Sequence, residues 1–355
     1  MKIVFVTPNF HPHVGGVERH VKEVAEALCR DGHLPIVVTV KHENDYADRE
    51  EIAGVSVIRM GRPDRGRLPP RAQIRLALIR HLGLFRAADV VHFHDFSTLW
   101  GWGLALYPLL RILGKRTYLT FHGWEGVAPP PRSIVILRKL CENMVHGNIC
   151  IGHYIERWYG TRADLVSYGG VHALPLDRRY EVEDDMVLFL GRLEPDTGIC
   201  QCMDAWPEIQ RRHPGLQLRV CGDGSLRRTL EDHARDHLEA IRFEGAVADV
   251  VPLVARARLV FTSGYLGILE ALAQKKAVVA TYDNPLKRDY LRLMPGSESM
   301  FWMAGNSQEI VASACEALTD RTRAEAGYRF ALANSWEQVK EDYYRLWRWP
   351  SRGGP

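Results

Sequence analysis

No stretch of the 355 residues approaches the roughly 20 consecutive apolar residues that a bilayer-spanning helix requires. The opening MKIVFVTPNF reaches a threonine and a proline within eight positions, so it reads as a first strand and not as a secretory leader. An excess of charge is missing as well. Lys and Arg number 46 against 43 Asp and Glu, and the formal net charge of +3 is too small to argue for a nucleic-acid partner. Paired cysteines are absent: Cys29, Cys141, Cys150, Cys200, Cys202, Cys221 and Cys315 are scattered, mostly through apolar segments, with neither disulfide-framework nor zinc spacing. Reduced thiols of this kind point to a cytoplasmic protein, and Cys200 and Cys202 lack the two-residue gap of a redox motif. The pairs His11–His13 and His92–His94 would each share a face on a strand, but no third ligand accompanies either, so no metal is expected.

What is present is an ordinary globular composition, 46% hydrophobic and 25% charged, on a chain too long for one core. Short apolar runs alternate with amphipathic helical patterns. Strands are expected at Lys2–Val6, Pro35–Thr39, Val55–Arg59, Val90–Phe93, Thr117–Phe121, Gly147–Ile151 and Leu165–Tyr168. A second series follows at Met186–Leu190, Leu216–Cys221, Ile241–Glu244, Leu259–Thr262 and Ala277–Thr281. Several are Val/Ile/Leu runs without alternation, as strands buried on both faces are. The fold class is therefore α/β, with two Rossmann-like, doubly wound domains, at 1–170 and 186–334. The polar, turn-rich segment Gly169–Met186 is the expected linker. Over 335–350 the spacing of Trp336, Val339, Tyr343, Leu346 and Trp347 predicts a helix with one packing stripe, crossing back to the first domain.

Four constellations carry possible chemistry, and each has a plainer alternative. Gly15 and Gly16 open a helix directly after the first strand, where bare amides and the helix dipole favour a phosphate, although a simple turn would look the same. Arg192, after Gly191, leaves the strand that opens the second domain. Its forked guanidinium suits a diphosphate as well as a surface ion pair. Gly222-Asp223-Gly224 closes a strand and opens a helix beside the crevice where such sheets bind ligands, and its glycines would help to bind one there, although strand-to-helix turns use such residues routinely. His122, in the run TFHG, stands at the end of a buried strand, where it would meet a sugar hydroxyl, move a proton or satisfy the core.

Taken in order, Gly15-Gly16, TFHG, GRLEPDTG, CGDGSLRR and LEALAQKKAVVA, with a closing SWEQVKEDYYRLW, resemble the family 4 (group 1) retaining glycosyltransferases over nearly the whole chain. The resemblance implies the GT-B fold, two Rossmann-like domains facing across a cleft, and a nucleotide-sugar donor held mainly by the second. It implies transfer to a hydroxyl acceptor with retention of configuration, without metal or other cofactor. By position, Gly16 matches the glycine at the donor's distal phosphate and His122 the histidine at the donor sugar. Arg192 matches the diphosphate arginine, and Glu270 the acid on the ribose hydroxyls. Backbone amides of Gly264, Tyr265 and Leu266 are expected to face the diphosphate.

Two positions depart from the pattern. The family commonly has a Glu eight residues before the one matched by Glu270, where this chain has Thr262. It has a diphosphate-binding Lys where this chain has Thr197. Three explanations stand: an inactive pocket, a slight misalignment, or two losses that compensate and keep the pocket's net charge. The third is favoured, with Lys287 or Arg288 supplying a cation from TYDNPLKRDYL. On the acceptor side, eight arginines from Arg59 to Arg86 interleave with Leu and Ile, which suits an anionic membrane surface and equally a solvated helix face. Rival functions are a non-catalytic nucleotide-sugar- or partner-binding protein of the same fold, and a dehydrogenase. The first loop's lack of G-x-G-x-x-G argues against the latter.

Overall fold

A computed structural model describes residues 1–13, 15–43, 45–61, 69–123, 126–172, 185–237, 240–247 and 249–348. The chain divides into two compact units, one of Met1–Ser167 with the C-terminal segment from Trp336, the other of Tyr168–Ser335. Each is a parallel sheet clothed with helices.

Unit 1 contains β1 (Lys2–Val6), β2 (Leu34–Val40), β3 (Arg49–Ile52), β4 (Val55–Met60), β5 (Val90–His94), β6 (Arg116–Phe121), β7 (Gly147–Ile151) and β8 (Leu165–Ser167). Their order across the sheet is β3-β4-β2-β1-β5-β6-β7-β8. Pairing is parallel throughout except for β3 on β4. The strand order reverses between β1 and β5, so the loops after those strands diverge and leave room at their C-terminal ends. The helix Gly16–Arg30 turns Val21, Val24, Ala25 and Leu28 into the core.

The stripe Trp336, Val339, Tyr343, Leu346 and Trp347 of the helix Trp336–Arg348 is buried. Lys340 Nζ lies 2.7 Å from Asp31 Oδ2, and the Tyr344 hydroxyl donates to the same carboxylate at 3.0 Å. At the other end Arg116 and the Tyr118 hydroxyl donate to the carbonyl of Trp347, one of the last-turn acceptors that a helix leaves open.

Arg59 does not belong to an exposed basic face: it is buried on β4, ion-paired with Glu50, and donates from Nη2 to the His11 carbonyl at 2.6 Å. The Glu50 carboxylate and the His11 carbonyl hold its guanidinium against the sheet, away from a basic surface. Arg62, Arg65 and Arg67 lie outside the described residues. Arg71, Arg75, Arg80 and Arg86 are exposed, as are Leu76 and Ile79.

Unit 2 contains β9 (Met186–Leu190), β10 (Gln217–Cys221), β11 (Ile241–Gly245), β12 (Leu259–Thr262), β13 (Ala277–Thr281) and β14 (Trp302–Ala304), in the order β11-β10-β9-β12-β13-β14. All pairs are parallel. Here β9 is the strand flanked by β10 on one side and β12 on the other, and its C-terminal end marks the switch point. A core of Phe189, Trp206, Leu218, Phe261, Val279 and their neighbours fills one face of the sheet.

Candidate functional site

The loop leaving β9 lies directly on the loop leaving β10. Gly191 N donates to Cys221 O at 3.1 Å, and Leu193 N donates to Asp223 O at 2.9 Å. A Cβ on Gly222, whose φ is +148°, would run into the Gly191 carbonyl, and one on Gly224 into the carbonyl of Leu193. The glycines expected to admit a ligand are thus required by loop-on-loop packing, because only glycine lets the two backbones approach this closely.

Beyond this junction, charge gathers around Asp196. Both of its oxygens accept from Arg192 Nη2, at 3.0 and 3.1 Å, and Oδ2 lies 3.5 Å from Lys287 Nζ. Arg192 is more than half exposed, while Lys287 is buried and its ammonium stands 5.0 Å from the centre of the Tyr290 ring. Burial lowers the Lys287 pKa, and the carboxylate of Asp196 opposes the shift. The helix Pro285–Arg292 that carries Lys287 starts on an Asn284 cap, whose side chain accepts from Lys287 N at 3.0 Å. Arg288, one step round the same helix, is exposed. Of the two cations in TYDNPLKRDYL, Lys287 is the one directed at the end of β9.

Thr197 and Thr262 are both buried, and one residue joins them. The Thr281 hydroxyl at the end of β13 lies 2.8 Å from the Thr197 carbonyl and 3.5 Å from that of Thr262. Thr197 Oγ1 itself donates to Glu194 O at 2.7 Å. The two positions that depart in charge from the family pattern are therefore neighbours.

Glu270 sits on the helix Tyr265–Leu272 with 6% of its surface exposed. Its charge reaches β10: burial first, and the carboxylates of Glu244 and Glu270 as lesser causes, push the Cys221 thiol up to about 11. At the start of this helix a Cβ on Gly264 would meet no atom within 4 Å. The three-amide expectation needs correction at Tyr265, whose N–H donates to the Tyr290 hydroxyl at 2.8 Å, the two rings stacking 3.7 Å apart. The Leu266 side chain packs against Gly169.

In unit 1, space beside Gly16 is open, since a Cβ there would touch nothing within 4 Å. Gly15 is covered by the carboxylate of Glu18, which is ion-paired with His13 Nδ1 at 2.9 Å. An anion already rests on this helix N-terminus, as its dipole favours. His122 follows β6 with 9% of its surface exposed. Its Nε2 lies 2.9 Å from His94 Nδ1, its main-chain N–H donates to Asp95 Oδ2 at 3.4 Å, and its carbonyl accepts from the Tyr154 hydroxyl at 3.3 Å. Burial, with the charges of His92 and Arg138 as lesser causes, lowers its pKa to about 3, so the imidazole is neutral near pH 7.

Asp196, Tyr290, Thr281 and His94 were not among the residues expected at the site. Asp196 lies inside the recognised GRLEPDTG run, and His94 inside a pair weighed only as metal ligands. Among the described residues no group of three or more His, Cys, Asp and Glu side chains is arranged to hold a metal ion.

The family model described as Glycosyltransferase Family 4 matches residues 14–166, and that described as Glycosyl transferases group 1 matches residues 184–320. An uncharacterized glycosyltransferase of Methanocaldococcus jannaschii is 26% identical, over 98% of this chain and 95% of its own. The phosphatidyl-myo-inositol mannosyltransferase of Mycolicibacterium smegmatis is 27% identical, over 83% of this chain and 81% of its own. Among solved structures, sucrose-phosphate synthase from Thermosynechococcus elongatus superposes with a TM-score of 0.72 at 18% identity, covering 98% of each chain. Anabaena HepE in complex with UDP and glucose gives 0.71 at 18% identity, over 97% of this chain and 98% of its own. At such identities these likenesses establish the GT-B fold.

Proposed function

This chain belongs to the family 4, group 1 glycosyltransferases, and on that premise we propose that it moves a sugar from a nucleoside-diphosphate sugar to a hydroxyl acceptor, with retention and without a metal. The observation that carries the proposal is the cluster at the end of β9, where Asp196 holds Arg192 and Lys287 side by side. Two cations at a switch point suit a leaving diphosphate, whose charge grows as the bond breaks. Lys287 takes the part of the lysine that Thr197 replaces. Glu270 accepts from the vicinal hydroxyls of the ribose. Gly16 and His122 keep the roles that the family resemblance implies, at the distal phosphate and the donor sugar. HepE, solved with UDP-glucose, supports a nucleotide-sugar donor.

In the transfer itself the bond from the anomeric carbon to the phosphate oxygen breaks, and a bond to the acceptor oxygen forms on the same face. The acceptor's proton passes to an oxygen of the departing diphosphate, so no protein base is called for. Seven free thiols suit a reducing, cytoplasmic setting. The exposed Arg71, Arg75, Arg80 and Arg86, with Leu76 and Ile79, suit an acceptor presented at an anionic membrane surface, as the phosphatidyl-myo-inositol relative's name suggests for that enzyme.

The test is a panel of UDP-, GDP- and ADP-sugars in excess chelator, scoring released nucleoside diphosphate and the anomeric configuration of the product. Activity abolished by chelator, or an inverted product, overturns the corresponding part of the proposal. Binding without release from any sugar favours a non-catalytic binding protein.

A further inference from the structure

We infer that His94 is a positioning residue. By donating its Nδ1–H to His122 Nε2 it fixes His122 as the tautomer protonated on Nδ1, so that His122 offers a hydrogen-bond donor, not an acceptor, to the sugar. The inference rests on the functional reading above for what His122 meets, and on unit 1 alone for the proton assignment.

Four imidazoles pack together in unit 1, His20 from the helix Gly16–Arg30, His92 and His94 from β5, and His122 after β6. Burial, with the mutual charge of the ring cluster as a lesser cause, holds all four below the ordinary histidine range, so each carries one ring proton. Where those protons lie follows from which partners can only give.

Trp347 Nε1 lies 3.2 Å from His92 Nδ1. An indole N–H has no acceptor function, so His92 Nδ1 is the bare nitrogen and its proton sits on Nε2, 2.8 Å from Thr120 Oγ1. Thr120 then donates its hydroxyl hydrogen bond to the Tyr343 oxygen at 3.2 Å, and the Tyr343 hydroxyl donates to His20 Nε2 at 2.9 Å. In this direction every hydroxyl proton finds an acceptor. The C-terminal helix thus sets the order on one side of the cluster.

On the other side stands the bond between His94 Nδ1 and His122 Nε2, 2.9 Å long, which needs one proton and one lone pair. His94 Nε2 decides between the two arrangements, because it is buried with no partner among the described residues. A proton there would be an orphaned buried N–H, rarer in folded proteins than an unpaired acceptor. The proton therefore lies on His94 Nδ1 and is given to His122 Nε2. His122 carries its own proton on Nδ1, the ring nitrogen without a partner among the described residues. Asp95 holds the His122 main chain from the same strand end, and does so from φ +70°, a conformation that side-chain-bearing residues rarely adopt.

The experiment uses the full chain with 15N-labelled histidine and no sugar donor. Long-range 1H–15N spectra are expected to show His122 protonated on Nδ1 and bare on Nε2, with His122→Gln identifying the signal. His94→Phe keeps the bulk and removes the N–H. It is expected to release His122 into a tautomer mixture and to lower kcat roughly tenfold, the cost of one misdirected hydrogen bond. His94→Asn, whose amide can still donate, is expected to restore both. Wild-type His122 protonated on Nε2 overturns the inference, as does an unchanged tautomer in His94→Phe. Should that variant not fold, the wild-type spectrum and His94→Asn decide alone. Failure of the protein to turn over any nucleotide sugar overturns the functional reading but leaves the tautomer result standing.

Discussion

Restoring the family's two charges, one at a time and then together, tests whether positions 197 and 262 face one pocket. Thr197 and Thr262 are 2% and 1% exposed. Thr197→Lys or Thr262→Glu alone buries an unpaired charge, and each is expected to destabilise by about 3 kcal/mol, the low end of what an uncompensated buried ion costs. In a unit of this size that corresponds to a melting temperature lower by roughly 6–12 °C. The lysine should be the worse of the two, since it adds a third cation beside Arg192 and Lys287. Introduced together, the charges attract. At 4 Å and an effective dielectric constant of 20 the attraction is about 4 kcal/mol, and imperfect geometry will reduce it. The double variant is therefore expected to be about 2 kcal/mol more stable than the sum of the singles, within the range measured for residues in contact. Thermal melts of the four proteins complete the cycle. Strict additivity, within about 0.5 kcal/mol, would refute the placement of both positions around Thr281.

Three further expectations follow from the same geometry. Lys287→Ala should weaken nucleoside-diphosphate binding by calorimetry about tenfold, the scale of one charge-assisted hydrogen bond, whereas Arg288→Ala should change it less than about twofold. Equal effects would refute the assignment of the diphosphate contact to Lys287 over Arg288, and parent affinity in both variants would refute a contact from either. Acid should destabilise unit 1: folded His20, His92, His94 and His122 resist protonation through burial, His122 down to about 3, while the unfolded chain protonates them near 6.5. Stability is then full above about pH 6.5 and lost as pH falls toward 3, by up to about 1.4 kcal/mol per unit for each imidazole; a melting temperature that holds steady from pH 7.5 to 5 contradicts it. Gly222→Ala should cost more than about 3 kcal/mol, because its Cβ meets the Gly191 carbonyl, whereas Gly264→Ala, which meets nothing, should cost under about 1 kcal/mol; chemical denaturation separates them.

The strands buried on both faces were legible as short runs rich in apolar residues, the buried His92 and His94 notwithstanding: KIVFV, VVHFH, MVLFL and AVVAT all appear within a residue or two of their expected limits. β3 escaped because REEI is an edge strand whose outward charges erase the pattern, paired to β4 through a turn with positive φ at Ala53 and Gly54. β14 is three residues long and has no period to read. At the site, residue type was more legible than residue duty. Gly222 and Gly224 looked like a ligand cradle and are needed by the neighbouring loop. Asp196 was not legible because Lys287, one of its two partners, stands far along the chain on another helix, and only the fold brings it within reach.

That arrangement also bears on why two charges changed at once. Across positions 192, 196, 197, 262 and 287 this chain carries one net positive charge, and a lysine at 197 with a glutamate at 262 would leave that sum unchanged. On the proposed reading the helix Pro285–Arg292 supplies, through Lys287, the cation that the family resemblance places in the turn, and Asp196 stands between it and Arg192. If net charge at this switch point governs grip on a diphosphate, then Thr197→Lys alone should tighten nucleoside-diphosphate binding and Thr262→Glu alone should loosen it. The double variant should return close to the parent affinity although both of its side chains differ. A double variant that bound far more weakly than the parent would show instead that the position of each charge, and not their balance, is what the diphosphate reads.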